Sequence, residues 1–223
     1  MTTDATISIN EIDAALANVA PNLPVDERRL AVAIYRLLAT GQPVTLDHAA
    51  TATDIPAEEA DRILRSWPAV FRDKQERIVG FGGLTVQSMP HRLRVAGIDL
   101  FAWCAWDPFF LALIIGQIDV ETKDPISGDT ISYRIGADAT ITDLSHRDSV
   151  LSFLRPDQPW DDNVMATFCH FVLQFTSPES ARRWTADHPG TFMIDVDDAV
   201  ELARRHVART FGPGARPDGR GAL

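Results

Sequence analysis

Between residues 26 and 81 the hydrophobic period of this sequence changes once, from helical to strand-like, and that change constrains the N-terminal fold. DERRLAVAIYRLLAT (26–40) places Leu30, Ile34, Leu37 and Leu38 at helical spacing. Gly41 is positioned to end the helix, and Pro43 prevents continuation. VTLDHAATATDIPAEEADRILRSW then reads as helix, turn, helix. Thr45 suits the cap of the first helix. Pro56 suits the start of the second, with Glu58 and Glu59 in the first turn, where the helix dipole favours acids. In VFRDKQERIVGFGGLTV, Val70 and Phe71, then Ile78 and Val79, flank a polar turn, which predicts a β-hairpin. Three helices followed by a hairpin form the outline of a winged helix.

A winged helix raises the question of DNA. The presumed recognition helix, PAEEADRILRSW, opens on acids that would face phosphates and base edges. The wing offers Arg72, Lys74 and Arg77 but also Asp73 and Glu76. The whole chain carries a formal net charge of −10, so it lacks the basic footprint that displaces counterions from DNA. The expected role of the module is packing or covering a substrate, with no nucleic-acid partner.

Gly80, Gly82, Gly83 and Pro90 mark a change of region. HRLRVAGIDLFAW is predicted to run from a strand into a helix that residues 108–116 continue, because Pro108 is tolerated in a first turn. ISGDTISYRI reads as a hairpin around Ser127 and Gly128, with Ile131, Tyr133 and Ile135 on one face. MATFCHFVLQFTS gives the strongest strand signal, with Thr167, Cys169, Phe171, Leu173 and Phe175 lining one side. PESARRWTADHP and VDDAVELARRHVART read as helices. The expected fold class is α+β: a winged-helix-like domain at 1–80, a compact α+β catalytic domain with a mixed or antiparallel sheet at 81–212, and a disordered tail at 213–223.

The N-terminus has neither the basic nor the apolar region of a secretory signal, and PFFLALIIG is too short to cross a bilayer. The expected location is cytoplasmic, without membrane attachment. There the two cysteines stay reduced. Trp67, Phe153 and Trp184 are expected in the core.

No P-loop, GxSxG or histidine metal-ligand spacing occurs in the sequence. The chemistry therefore centres on the thiols. Cys104, in FAWCAWDPFF, lies near the start of the expected helix, where the dipole favours a thiolate. Asp107 follows at i+3 and would share its face. A carboxylate beside a nucleophilic thiolate is awkward, since like charges raise both pKa values. The pairing makes better sense if the thiolate binds a soft metal and the carboxyl group carries a proton.

FAWCAWDPFFLALIIG resembles the signature of the organomercurial (alkylmercury) lyases, and ATFCHFVLQFTS resembles the strand that bears their second essential cysteine, here Cys169, 65 positions after the first. DERRLAVAIYRLLATGQPVTLDHAA, GFGGLTV and SARRWTADHPG are similar to further family segments. The resemblance implies protonolysis of a carbon–mercury bond to a hydrocarbon and Hg(II), with no cofactor required. It implies Cys104 and Cys169 as the thiolates that take the substrate and keep the Hg(II) product, with Asp107 as proton carrier. Phe101, Trp103 and Phe171 would form an apolar pocket that excludes water. External small thiols would accept the product, and a mercuric reductase is the partner the family implies. One departure is visible: many members carry an extra, structural cysteine in the following hairpin, where this chain has KDPISGD and Asp124.

Three other classes fit parts of the pattern. A non-catalytic soft-metal binder or sensor needs both thiols but not Asp107. A winged-helix transcription regulator needs a basic recognition helix. A redox pair needs a reversible Cys104–Cys169 disulfide.

Overall fold

Ser8 and Glu11 form a capping box that starts α1 (Ile9–Val19), a helix not anticipated from the sequence pattern. α2 (Val25–Leu38) buries Leu30, Ile34 and Leu38 along one stripe. α3 (Leu46–Thr53) is capped by the Thr45 hydroxyl, which accepts from the His48 amide. α4 (Ala57–Ser66) starts behind Pro56. β1 (Val70–Arg72) and β2 (Ile78–Phe81) pair antiparallel as the wing. The helix–turn–helix and hairpin thus form as expected. The computed structural model describes residues 7–20, 23–157, 161–212 and 215. Of the expected disordered tail, Ala215 is buried, and 213, 214 and 216–223 lie outside the described residues.

The segment expected to run from strand into helix is instead a hairpin. After β3 (Leu84–Thr85), β4 (His91–Val95) turns through Ala96 and Gly97 into β5 (Ile98–Ala102), with Val95 opposite Ile98. Both turn residues have positive φ, 47° and 85°, the two-residue geometry that matches strand twist. Ala-Gly lacks the asparagine or aspartate that usually signals such a turn, so the pattern concealed it.

α5 (Asp107–Ile115) follows, with its residues through Ile114 buried. A helix apolar on every side must be covered on every side. α5 packs against α2, β6 (Ile118–Lys123), β7 (Thr130–Ile135) and the last helix. Each buried leucine, isoleucine or phenylalanine there contributes about 1.5–3 kcal/mol. β8 (Ile141–Thr142) completes an eight-stranded antiparallel sheet in the order β1-β2-β3-β5-β4-β6-β7-β8, so the wing and the central strands form one sheet. One face is apolar, with Leu93, Val120, Ile131 and Tyr133. The other carries Arg92, Arg94, Asp99 and Arg134 in ion pairs.

β9 (Val150–Leu154) lies centrally in a second sheet, between β10 (Gln174–Phe175) and β11 (Thr191–Asp195). α6 (Val164–Thr167), α7 (Pro178–Ala186) and α8 (Val196–Thr210) complete the fold. The architecture is α+β, with antiparallel sheets. The long strand predicted around Cys169 does not form. α6 gives way to a 3-10 turn at Cys169–Phe171, and only Gln174 and Phe175 pair as strand. The alternation failed because adjacent residues serve one core: Phe168 and Cys169 are both buried in it, while Phe171 joins a separate cluster with Phe175 and Trp184.

Candidate active site

Cys104 sits in the turn between β5 and α5, not on the helix as its spacing suggested. The turn is closed by the Asp107 amide, which donates to the Cys104 carbonyl at 3.3 Å. Asp107 is the first residue of α5, and its carboxylate folds back over the turn. One oxygen accepts the Cys104 amide at 2.7 Å, and the other accepts the Cys104 thiol at 3.3 Å. The i+3 spacing thus brings thiol and carboxylate together through a turn rather than through a shared helix face.

Cys169 arrives from a distant part of the chain. The Ala105 amide donates to the Val172 carbonyl at 3.0 Å, tying the Cys104 turn to the Cys169 segment. The buried Ser152 hydroxyl holds that segment from the other side, donating to the Phe171 carbonyl at 2.8 Å and accepting the Leu173 amide at 3.0 Å. Cys169 comes close enough to Cys104 to help keep the proton on the Cys104 sulfur. Both cysteines are free and buried.

Burial dominates the electrostatics. It raises Asp107 from 3.8 to about 7, and hydrogen bonds from Cys104 and the Trp103 backbone only partly offset it. Burial, the contact with Cys169 and the charge of Asp107 together push Cys104 well above the ordinary thiol range. Near neutral pH the turn therefore keeps the proton of Cys104, aimed at the Asp107 carboxylate.

A cavity of about 100 Å³ opens onto Asp107 and Cys169. Cys104 is fully buried and is not among its lining residues. Trp103 lines it, whereas Phe101 and Phe171 do not. Phe101 lies on β5 opposite Thr85, and Phe171 packs against Trp184 and His188. Tyr35 and Trp67, from the N-terminal helical segment, form part of the wall, so Trp67 is not merely core.

Sequence reasoning missed three more wall residues. Gly83, with φ of 97°, lies so close to Asp107 that a Cβ there would stand 2.7 Å from the carboxyl carbon. Its neighbour Gly82 is held by the Tyr35 hydroxyl, which donates to the Gly82 carbonyl at 2.8 Å. His206 of α8 lines the cavity, and burial, then Arg209, hold its imidazole neutral with a pKa of about 3. The adjacent glycines were a visible signal; Tyr35 and His206 looked like ordinary helix residues. Among the described residues, no group of three or more His, Cys, Asp or Glu side chains is arranged to hold a metal ion, and no helix is long and apolar enough to cross a membrane.

The chain is similar to known proteins along most of its length. Residues 84–208 match the family model described as alkylmercury lyase, and residues 10–82 match the helix-turn-helix domain of alkylmercury lyase. The alkylmercury lyase of Bacillus cereus is 36% identical over 172 residues, 77% of each chain. That of Staphylococcus epidermidis is 35% identical over 177 residues, 79% of this chain and 80% of the relative. That of Pseudomonas putida is 30% identical over 200 residues, 89% and 92%. The crystal structure of the mercury-bound form of MerB2 superposes with a TM-score of 0.70 at 20% identity, covering 88% of this chain and 95% of that one, and so shares its fold.

Proposed function

The chain belongs to the alkylmercury lyase family, enzymes that cleave carbon–mercury bonds, and from that premise we propose that Cys104, Cys169 and Asp107 carry the reaction. The observation that supports the assignment is the buried Cys104 thiol donating to the Asp107 carboxylate beside a cavity that Cys169 lines.

Cys169, on the cavity wall, meets the organomercurial first and exchanges its proton for mercury. Cys104 then passes its proton to Asp107, and the new thiolate becomes the second sulfur on the metal. Soft Hg(II) prefers sulfur to oxygen, and two thiolates donate density that weakens the bond to carbon. The bond breaks with its electron pair on carbon, and carbon takes the proton held by Asp107, which is general acid catalysis. The products are a hydrocarbon and Hg(II) held by two sulfurs. Small external thiols then displace the metal, with a mercuric reductase as the onward acceptor. The reaction balances without a cofactor.

Trp103 and the N-terminal wall keep water from the reacting groups; Phe101 and Phe171 act at most through their neighbours. The N-terminal module (residues 1–80) serves as cover rather than as a DNA reader, since α4 presents Glu58 and Glu59 in its first turn. A site that requires two reduced thiols suits the cytoplasm.

The test is an assay of the purified protein with a methyl- or phenylmercury salt and excess small thiol, measuring methane or benzene. Hydrocarbon release above the thiol-only background is expected, and Cys104→Ala and Cys169→Ala should each abolish it. Full turnover by either variant would remove that cysteine from the mechanism. In single turnover, the cleavage rate is expected to rise as pH increases through about 7, where Asp107 gives up its own proton and becomes free to take that of Cys104 and relay it to carbon.

A further inference from the structure

β2 and β3 are joined by Gly82 and Gly83 alone, since Phe81 pairs with Leu84. Both glycines have positive φ, 43° and 97°, as a two-residue turn between twisted strands requires. This turn abuts the proton carrier. A Cβ at 83 would stand 2.7 Å from both the carboxyl carbon and Oδ1 of Asp107. Oδ1 is also the atom that accepts the Cys104 thiol at 3.3 Å. A shift of the turn would therefore shift the oxygen that faces the proton.

Backbone bonds hold the turn on two sides. The Trp103 amide donates to the Gly83 carbonyl at 3.0 Å, and the Gly82 amide donates to the Ala69 carbonyl at 3.2 Å. A further bond comes from the N-terminal module. The Tyr35 hydroxyl, on α2, donates to the Gly82 carbonyl at 2.8 Å. The fit is close, because a Cβ at 82 would collide with that hydroxyl. Packing alone does not call for a hydroxyl here. The Tyr35 ring is buried against Phe81 and Phe211, with centroids 4.8 Å and 5.8 Å away, and phenylalanine would keep both contacts. What the hydroxyl adds is a directed bond to the backbone beside Asp107.

We propose that Tyr35 is a positioning residue for carbon–mercury cleavage: by holding Gly82 it fixes Gly83 as the stop against which the Asp107 carboxylate rests. The N-terminal module then does more than cover the cavity; it sets where the acid stands. The proposal rests on the reading of Asp107 as the proton carrier.

The test is Tyr35→Phe, with phenylmercury as the probe. Capture, read as phenylmercury bound after rapid quenching, should stay within about twofold, and single-turnover benzene release should fall about tenfold, as a small misplacement of a reacting group costs. A merely structural hydroxyl would lower both through the folded fraction, and that result, or unaltered release, overturns the proposal. Because Tyr35 acts through the turn, its loss should add little to Gly83→Ala. The double variant should release benzene about as slowly as Gly83→Ala alone, and fully multiplied effects overturn the proposal. Where Tyr35→Phe does not fold, 4-aminophenylalanine at 35 keeps the ring and a weaker donor; release should fall at least twofold, and unaltered release overturns the proposal. A readout without mercury separates this proposal from the lyase reading. The Cys104 amide donates to Asp107 Oδ2 at 2.7 Å, so its proton resonance reports the carboxylate position. Tyr35→Phe should move that resonance, and an unmoved one overturns the proposal. Absence of benzene from the unsubstituted protein, with the resonance moved in the variant, would count against the lyase roles alone.

Discussion

Two aspartates are buried among the described residues, and their pKa values move in opposite directions for a reason that can be read from their donors. Asp124, in the turn between β6 and β7, is fully buried and accepts from five groups: the amides of Ile126, Ser127 and Thr176, and the hydroxyls of Thr176 and Ser180. Burial works to raise its pKa, but these donors, the Thr176 amide foremost, outweigh it and hold the carboxyl below its usual range. Asp107 accepts the amide and thiol of Cys104, and its pKa rises to about 7. Burial by itself therefore does not choose the charge state; the number of committed donors does. Asp124 is a fully committed acceptor that ties a hairpin to the start of α7. Asp107 is left under-supplied with donors, which suits the role of proton carrier proposed for it.

The largest expected effect comes from removing the carrier. Asp107→Asn should lower turnover about a thousandfold, within the range typical of a lost general acid. Mercury binding should persist, because the thiols remain. Stability should move the other way. With rising pH the unfolded Asp107 ionises near 3.8, while the folded group keeps its proton to about 7. The folded state thus binds more protons in that window, and stability falls across it by up to about 4 kcal/mol. Asp107→Asn removes this loss, so its thermal midpoint should exceed that of the unsubstituted protein at pH 8 and match it near pH 4. Equal midpoints at both values would show that Asp107 is not held protonated.

Asp124→Ala should do the reverse: destabilise by about 3 kcal/mol in denaturant unfolding, because several buried donors lose a charged acceptor together. Turnover per folded molecule, counted by stoichiometric Hg(II) binding, should change little. A large fall in turnover with stability intact would move Asp124 from scaffold to chemistry.

Gly83→Ala tests how closely the carrier is held. A Cβ at 83 cannot coexist with the present Asp107 carboxylate, and alanine is also strained at that φ. Displacing the acid by about 1 Å should cost about a hundredfold in turnover while leaving mercury capture intact. Unaltered turnover would mean that the carboxylate does not react from the position seen here.

The contrast between the two carboxylates also marks what could be read from the sequence. Cys104 and Asp107 were legible because their partnership is local, three residues apart. Cys169 was legible by resemblance, but its setting was not. Alternation over 165–175 predicted a strand, whereas the chain divides its aromatic residues between two clusters and turns between them. The winged-helix outline was legible because capping, proline and charge signals agreed at each helix end. α1 carries a signal of the same kind, the capping box of Ser8 with Glu11, ahead of the segment from residue 26 on which the winged-helix outline rests. The cavity wall depends on contacts between Tyr35 and Gly82, 47 positions apart, and between α8 and α5, which no local pattern encodes.

The smallest effect should come from Ser180→Ala, which removes one of Asp124's donors, a 2.8 Å bond from a buried hydroxyl. The expected cost is about 1 kcal/mol near neutral pH. Its pH dependence is more telling than its size. Because Asp124 is held below its ordinary 3.8 when folded, it contributes stability above that value, and the contribution disappears as pH falls through the lower, folded pKa. Losing a donor brings the folded pKa closer to 3.8, so part of that contribution is gone at neutral pH. The Ser180→Ala deficit should therefore shrink below about pH 4, as both proteins protonate Asp124. The opposite slope, a deficit that grows on acidification, would mean that Ser180 stabilises the protonated acid, and Asp124 would then belong with Asp107 rather than against it.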